Sequence, residues 1–184
     1  FSVPTDSLGF AMRLISGENT HWDLYGIDTK VEFYKYCPFE LKKFTGYCKL
    51  TSSYMKDFMA NVDMRLIQTK IDDSKENTII LENYFYDGYD ISLKFEPGDP
   101  EKPFVKMEEQ VLASTADAFG TIYGDGKLMV DQPSIYISYF NTNQTFVFQY
   151  VSMKVNGKGN VGTFLNILEW ISDDEAEKLK RQGY

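Results

Sequence analysis

Hydrophobic and polar residues alternate along most of this chain, and glycine, proline and aspartate interrupt the alternation at short intervals. Residues 89–95 (YDISLKF) are typical, because every second side chain is apolar and those between are polar. A period of two residues indicates a half-buried β-strand. The same pattern predicts strands over residues 62–66 and 135–140. We therefore predict an all-β fold, either an antiparallel β-sandwich or a partly closed, lipocalin-like barrel.

The longest strand-like stretch covers residues 146–155, and its pattern changes phase halfway. Its aromatic residues share one parity up to Tyr150, whereas the apolar residues from Val151 onward share the other. An extra residue in one strand of an antiparallel pair produces such a change of phase. We therefore predict a β-bulge near Tyr150.

Two segments depart from the strand pattern and predict helices. In residues 52–60 the apolar side chains recur at helical spacing, as Tyr54, Met55, Phe58 and Met59. Near the C-terminus, Ser172 and Glu175 have the spacing of a capping box, in which each side chain bonds the backbone amide of the other residue. Acidic residues begin this segment, basic residues follow and Gly183 ends it, which suits the helix dipole. We predict a short C-terminal helix on the surface.

A chain of 184 residues is long enough for one large β domain, and we predict a single domain over residues 1–184. The polar stretch at residues 72–77 (DDSKEN) is the candidate for a weak subdivision. The same composition suits a hairpin loop, which we favour.

The charge of the chain limits its partners. The net charge is −8 and the sequence pI is about 4.7, with lysines scattered among acidic residues. Nucleic-acid binding requires clustered lysine and arginine, so we expect no nucleic-acid partner. No stretch approaches the ~20 apolar residues of a membrane-spanning helix. The oligomeric state stays open.

The sequence offers no arrangement typical of catalysis or metal binding. His21 is the single histidine, and no nucleophile motif accompanies it. Glu108 and Glu109 are adjacent on a predicted strand and would point to opposite faces. Cys37 and Cys48 are either two small buried residues or a disulfide pair, and two cysteines without a CxxC motif do not suggest zinc. We therefore expect no catalytic residues, no metal and no cofactor.

Aromatic residues provide the candidate binding site. They make up 16% of the chain, and tyrosine combines an apolar face with a polar tip that suits carbohydrate or protein contacts. Two groups stand out, and the candidate binding residues are Tyr84, Tyr86, Tyr89, Tyr136 and Tyr139. The alternative is that these residues pack as cross-strand pairs within the sheet.

Three motifs between residues 79 and 137 occur in a familiar order. Residues 83–86 (NYFY) precede an alternating strand, residues 105–111 (VKMEEQV) follow a Pro/Gly loop, and residues 118–123 (AFGTIY) contain an aromatic–glycine step. This order resembles small β domains in cell-envelope lipoproteins of the Bacteroidetes. The resemblance implies export, attachment through a lipidated cysteine upstream of Phe1, and contact with glycans or other envelope proteins at the cell surface.

Three functions follow as hypotheses. The first is a non-enzymatic, envelope-associated binding or structural module that contacts a glycan or a partner protein. The second is a lipocalin-like carrier with a small apolar ligand inside a barrel. The third, and least favoured, is a hydrolase with a pair of carboxylates.

Overall fold

The structure is a computed structural model that describes residues 38–59, 62–98 and 103–184. His21 and Cys37 therefore lie outside the described residues. Within the described part of the chain, no helix is both long and apolar enough to span a membrane.

Ten strands and three short helices make up the described chain. The strands are β1 (Gly46–Ser52), β2 (Met64–Ile71), β3 (Thr78–Glu82), β4 (Ile91–Glu96), β5 (Phe104–Lys106), β6 (Gln110–Ser114), β7 (Lys127–Asp131), β8 (Tyr139–Asn141), β9 (Phe146–Val155) and β10 (Gly159–Trp170). The helices are α1 (Ser53–Phe58), α2 (Thr115–Phe119) and α3 (Asp173–Arg181), and a 3-10 turn spans Leu41–Phe44.

Eight of these strands close into an antiparallel barrel. Their order is β10-β1-β2-β3-β4-β5-β8-β9, and β9 pairs with β10 to complete the ring. The prediction of an all-β fold with a short C-terminal helix is confirmed, and of its two architectures the structure has the barrel, in closed form.

The barrel forks along one edge of β9. The first half of β9 pairs with β8, whereas the second half pairs with β7, which continues into the hairpin β6–β7 outside the ring. Side chains replace strand pairing at this fork. The Gln110 side chain accepts from the amide of Ser92 on β4 and donates to its carbonyl, at 2.8 and 2.9 Å. The Ser138 hydroxyl accepts from the amide of Tyr150 at 2.9 Å.

Side chains fill the interior of the barrel. Near one end Phe44 lies within aromatic contact of Phe95, Phe140 and Trp170. Farther along, a buried polar chain crosses the core. In it, Ser52 donates to Asn166, Asn166 donates to the Tyr84 hydroxyl, and Tyr84 donates to Gln149. Because buried polar atoms are costly when unpaired, these hydrogen-bonded side chains fix how the core strands fit together.

Both predicted helices are confirmed. Ser52 accepts a hydrogen bond from the Tyr54 amide at the start of α1, and Ser172 accepts one from the Glu175 amide at the start of α3. Gly183, just beyond α3, has a φ of 98°, a conformation that glycine adopts without strain. Residues 72–77 connect β2 to β3 as an antiparallel hairpin, which was the interpretation that we favoured for this stretch.

Two strand predictions were wrong. No bulge lies near Tyr150, because β9 pairs with β10 in continuous register from Phe146 to Met153 and its buried residues alternate over its whole length. The register shift lies on β10 instead, between Asn160 and Gly162. The strand predicted over residues 135–140 starts only at Tyr139. Upstream of it the Ser138 side chain bonds β9, and residues 134–137 are exposed.

Candidate functional site

Two exposed tyrosines stack on outward-facing rings of β9. Tyr136 lies against Tyr150 with ring centroids 4.8 Å apart and planes 19° apart. Tyr139 lies against Phe148 at 5.1 Å and 22°. Each of the two tyrosines keeps 44% of its surface exposed. Because one face of each ring meets its partner, the exposed fraction comes from the other face and the edge. We call Tyr136, Tyr139, Phe148 and Tyr150 the tyrosine surface.

The fold builds this surface from β9 outward. Val147, Gln149 and Val151 point into the barrel, so Phe148 and Tyr150 between them point outward. Tyr139 pairs directly with Phe148 across the β8–β9 ladder. The bond from the Tyr150 amide to Ser138 holds the chain beside β9 just after Tyr136.

The surroundings of the tyrosine surface are also apolar. Ile135 and Ile137, on either side of Tyr136, are 78% and 74% exposed. Phe146 meets Phe148 edge-on at 5.1 Å. A contiguous exposed patch of this kind marks an interaction site in a soluble protein.

A groove of about 1040 Å³ adjoins the tyrosine surface. One wall is the outward side of β4 and β5, which presents Ser92, Lys94, Glu96, Phe104 and Lys106. The lining also contains residues 107–110 and 132–134, together with Tyr136 and Ile137. Tyr136 therefore belongs to both the groove and the tyrosine surface.

Ion pairs order the β4–β5 side of the groove. Glu96 lies 2.9 Å from the Lys94 ammonium and 3.4 Å from the Lys106 ammonium. The hydrogen bond from Lys94 and the charge of Lys106 hold the pKa of the Glu96 carboxyl below its usual range. The same contact, with the nearby carboxylates of Glu76 and Glu108, raises the pKa of the Lys94 ammonium. Both groups therefore stay charged at neutral pH.

The first group of predicted tyrosines lies elsewhere. Tyr84 is fully buried, and its partner Gln149 faces inward between Phe148 and Tyr150, so Tyr84 is on the opposite side of β9 from the tyrosine surface. The half-buried Tyr86 shares a 2.7 Å hydrogen bond with the Tyr54 hydroxyl.

The hydroxyl of Tyr89, which is also only partly exposed, donates to Asp117 and accepts from the Ser114 amide. The hydroxyls of Tyr84, Tyr86 and Tyr89 are all hydrogen-bonded within the protein. Tyr136 and Tyr139, in contrast, present their rings outward. The structure thus brings Tyr136 and Tyr139 together and separates them from Tyr84.

Sequence reasoning missed Phe148 and Tyr150 as part of the site. Their parity with Phe146 was visible, but aromatic residues on a strand suggest the core. Gln149, the polar residue between them, gave no local sign that it is buried, because its burial requires the hydrogen bond from Tyr84.

Catalytic and metal chemistry has few candidates in the described chain. Among residues 38–59, 62–98 and 103–184, no group of three or more His, Cys, Asp or Glu side chains could hold a metal. Cys48 is a free, buried thiol whose pKa is raised by burial. Glu108 and Glu109 are both exposed, and Glu109 pairs with Lys154.

Comparison with known proteins identifies a family. The family model described as a domain of unknown function (DUF4984) matches residues 24–182. No curated protein and no solved structure matches the chain at a significant level. The matched range includes all ten strands of the sheet and helix α3. The chain therefore belongs to the DUF4984 family.

Proposed function

We propose that this protein is a non-enzymatic binding module of the cell envelope that holds a glycan against the tyrosine surface. The observation that carries the proposal is the pair of exposed tyrosines, Tyr136 and Tyr139, each fixed by stacking on a ring of β9. A ring held in place before binding loses little conformational entropy when a ligand covers it. Sugar rings present apolar C–H faces that suit such a platform.

The packed interior favours a surface site over a carrier. Positions that would line a ligand cavity in a lipocalin-like barrel are occupied here by fully buried rings, including Phe44, Phe95 and Tyr84. A carrier of an apolar ligand needs an internal space of roughly 300 Å³ or more. In this barrel such a space would require several of these rings to move.

The electrostatics of the groove favour binding over hydrolysis. A general acid in a glycosidase needs a carboxyl group with a raised pKa. Glu96 has the opposite shift, because Lys94 and Lys106 stabilise its charged form. Its neighbourhood therefore suits hydrogen bonding to a ligand better than proton transfer.

Affinity electrophoresis tests the glycan proposal directly. The protein is run in native gels that contain a panel of neutral polysaccharides. We expect at least one polysaccharide to slow the wild type, and Tyr136→Ala or Tyr139→Ala to abolish the retardation. Tyr184→Ala is the matched control, since Tyr184 is 45% exposed and lies outside the tyrosine surface. Equal retardation of all three variants, or no retardation of the wild type, would overturn the proposal.

The location in the envelope is proposed from the resemblance to Bacteroidetes lipoproteins. In that arrangement a lipidated cysteine upstream of Phe1 tethers the domain, and the domain itself faces the glycan. The test is metabolic labelling of the native full-length protein with an alkyne-tagged fatty acid, followed by fractionation. Label on the protein in the membrane fraction supports the proposal. Unlabelled protein in the cytoplasmic fraction contradicts it.

A further inference from the structure

We infer that the groove beside the tyrosine surface binds an internal segment of a neutral polysaccharide, that Gln132 donates a hydrogen bond to it, and that the carboxylates of the groove disfavour acidic glycans. The inference rests on the proposed function and deepens it by naming the ligand class. It concerns the groove, whereas the proposed function depends on the stacked tyrosines.

The size and form of the groove favour a chain segment over a single sugar. Its volume of about 1040 Å³ slightly exceeds the range of roughly 300–1,000 Å³ for small-molecule sites. It is an open groove along the outside of the barrel, not an enclosed cavity. An open groove admits a polymer that continues in both directions, whereas a terminal sugar is usually held in a closed pocket.

The charges along the groove balance. Its lining contains the lysines Lys75, Lys94 and Lys106 and the glutamates Glu76, Glu96, Glu108 and Glu109. Lys154, which does not line the groove, pairs with Glu109. Three cations then face three remaining carboxylates.

This groove offers no free cluster of cations to a uronic acid or a sulfated sugar. Two of the three lysines, Lys94 and Lys106, are already engaged by Glu96. The carboxylates of Glu76 and Glu108 lie near Lys94 and would repel an added anion. Neutral sugar hydroxyls instead both donate and accept, so they match a wall of mixed ammonium, carboxylate and hydroxyl groups.

Gln132 is the most specific polar group in the groove. Its Oε1 accepts from the Met107 amide at 3.2 Å, which fixes the orientation of the side-chain amide. Its Nε2 group has no hydrogen-bond partner among the described residues, and Gln132 lines the groove. An amide N–H₂ group held in this way donates to a sugar oxygen without having to be ordered on binding.

The variant Gln132→Glu tests this assignment with little change in shape. The glutamate keeps an acceptor for the Met107 amide but replaces the donor by a negative charge. We expect affinity for the retarding neutral polysaccharide to fall by about tenfold, the upper end for one net hydrogen bond. Gln68→Glu is the matched control, because Gln68 is exposed on β2 outside the groove and the substitution adds the same charge. It should bind like the wild type.

Two ligand comparisons complete the experiment. Isothermal titration with the neutral polysaccharide and with its carboxymethylated derivative should show weaker binding of the acidic form. Oligosaccharides of increasing length should gain affinity beyond the monosaccharide, which by itself should bind too weakly to detect.

The outcomes separate the two proposals. Loss of binding in Tyr139→Ala with wild-type affinity in Gln132→Glu would leave the proposed function standing and overturn the groove assignment. Stronger binding of the carboxymethylated polymer would also overturn it. Absence of binding to every polysaccharide in the panel would overturn both, and would favour a protein as the occupant of the tyrosine surface.

Discussion

Removal of the buried Tyr84 hydroxyl should destabilise this barrel far more than removal of the buried Tyr54 hydroxyl. Tyr84 and Tyr54 are both fully buried, and in each the phenol oxygen is hydrogen-bonded. The change to phenylalanine removes the same atom in both, so lost volume and lost packing are nearly equal. The difference between them isolates the cost of the partners left behind.

The Tyr84 hydroxyl has two partners that cannot reach water. It donates to Gln149 and accepts from Asn166, both of which are buried. Tyr84→Phe leaves a buried acceptor and a buried donor unpaired, at about 1–2 kcal/mol each, the lower part of the range for neutral groups. We therefore expect the free energy of unfolding to fall by about 2–4 kcal/mol. Tyr54 shares its hydrogen bond with the half-buried Tyr86, whose hydroxyl can turn to water, so Tyr54→Phe should cost about 1 kcal/mol.

Urea unfolding followed by tryptophan fluorescence measures both variants. With a slope of about 2 kcal/mol per molar urea, Tyr84→Phe should lower the midpoint by about 1–2 M and Tyr54→Phe by about 0.5 M. The slopes should match that of the wild type, which would show that the exposed surface on unfolding is unchanged. Midpoints that agree within error would refute the view that the buried side chains of Asn166 and Gln149 depend on the Tyr84 hydroxyl for their hydrogen bonds.

Three further predictions concern the core, a turn and the fork. Burial raises the pKa of the Tyr84 phenol, so the contribution of this phenol to the free energy of unfolding should be constant up to about pH 10 and fall by up to about 1.4 kcal/mol per pH unit above it, as measured by urea titration of the wild type against Tyr84→Phe. Gly124→Ala should lower the melting temperature more than Gly88→Ala, because both have positive φ but only at Gly124 would a Cβ collide with the Asn156 carbonyl oxygen. Gln110→Ala should cost about 1–2 kcal/mol in chemical denaturation, since it exposes the paired amide and carbonyl of Ser92 on β4.

Local sequence patterns predicted the strands and helices whose defining features lie within one short segment. The alternation in residues 89–95 predicted β4, because Ile91, Leu93 and Phe95 all point into one core. The capping box at Ser172 predicted the start of α3, because the bond from the Glu175 amide to the Ser172 hydroxyl spans only three residues. In such cases the information is contained within one short segment.

Features that depend on distant partners could not be predicted in this way. The burial of Gln149 follows from Tyr84, which is 65 residues away in the sequence. The prediction of a bulge near Tyr150 assumed that the apolar residues on both sides of the phase change face one core. In the structure Phe148 and Tyr150 face outward instead.

The candidate site was only partly predictable for a related reason. Tyr136 and Tyr139 were identified as candidates, but the groove combines segments from the β2–β3 turn, β4, β5, residues 107–110 and the loop after β7. Which of these segments meet depends on the strand order β4-β5-β8-β9. Strand order does not follow from alternation, because alternation determines the face of a residue and not its neighbouring strand.

The fork in the sheet explains why the groove and the tyrosine surface adjoin. A barrel that closes through β8 leaves the second half of β9 free to pair with β7, so the chain between β7 and β8 must cross the point of divergence. Backbone pairing cannot continue there, and side chains take over its hydrogen bonds. Ser138 does so on β9, and Gln110 does so on β4. Residues 134–137 lie between β7 and Ser138 and are exposed, which places Tyr136 at the junction of the groove with the tyrosine surface.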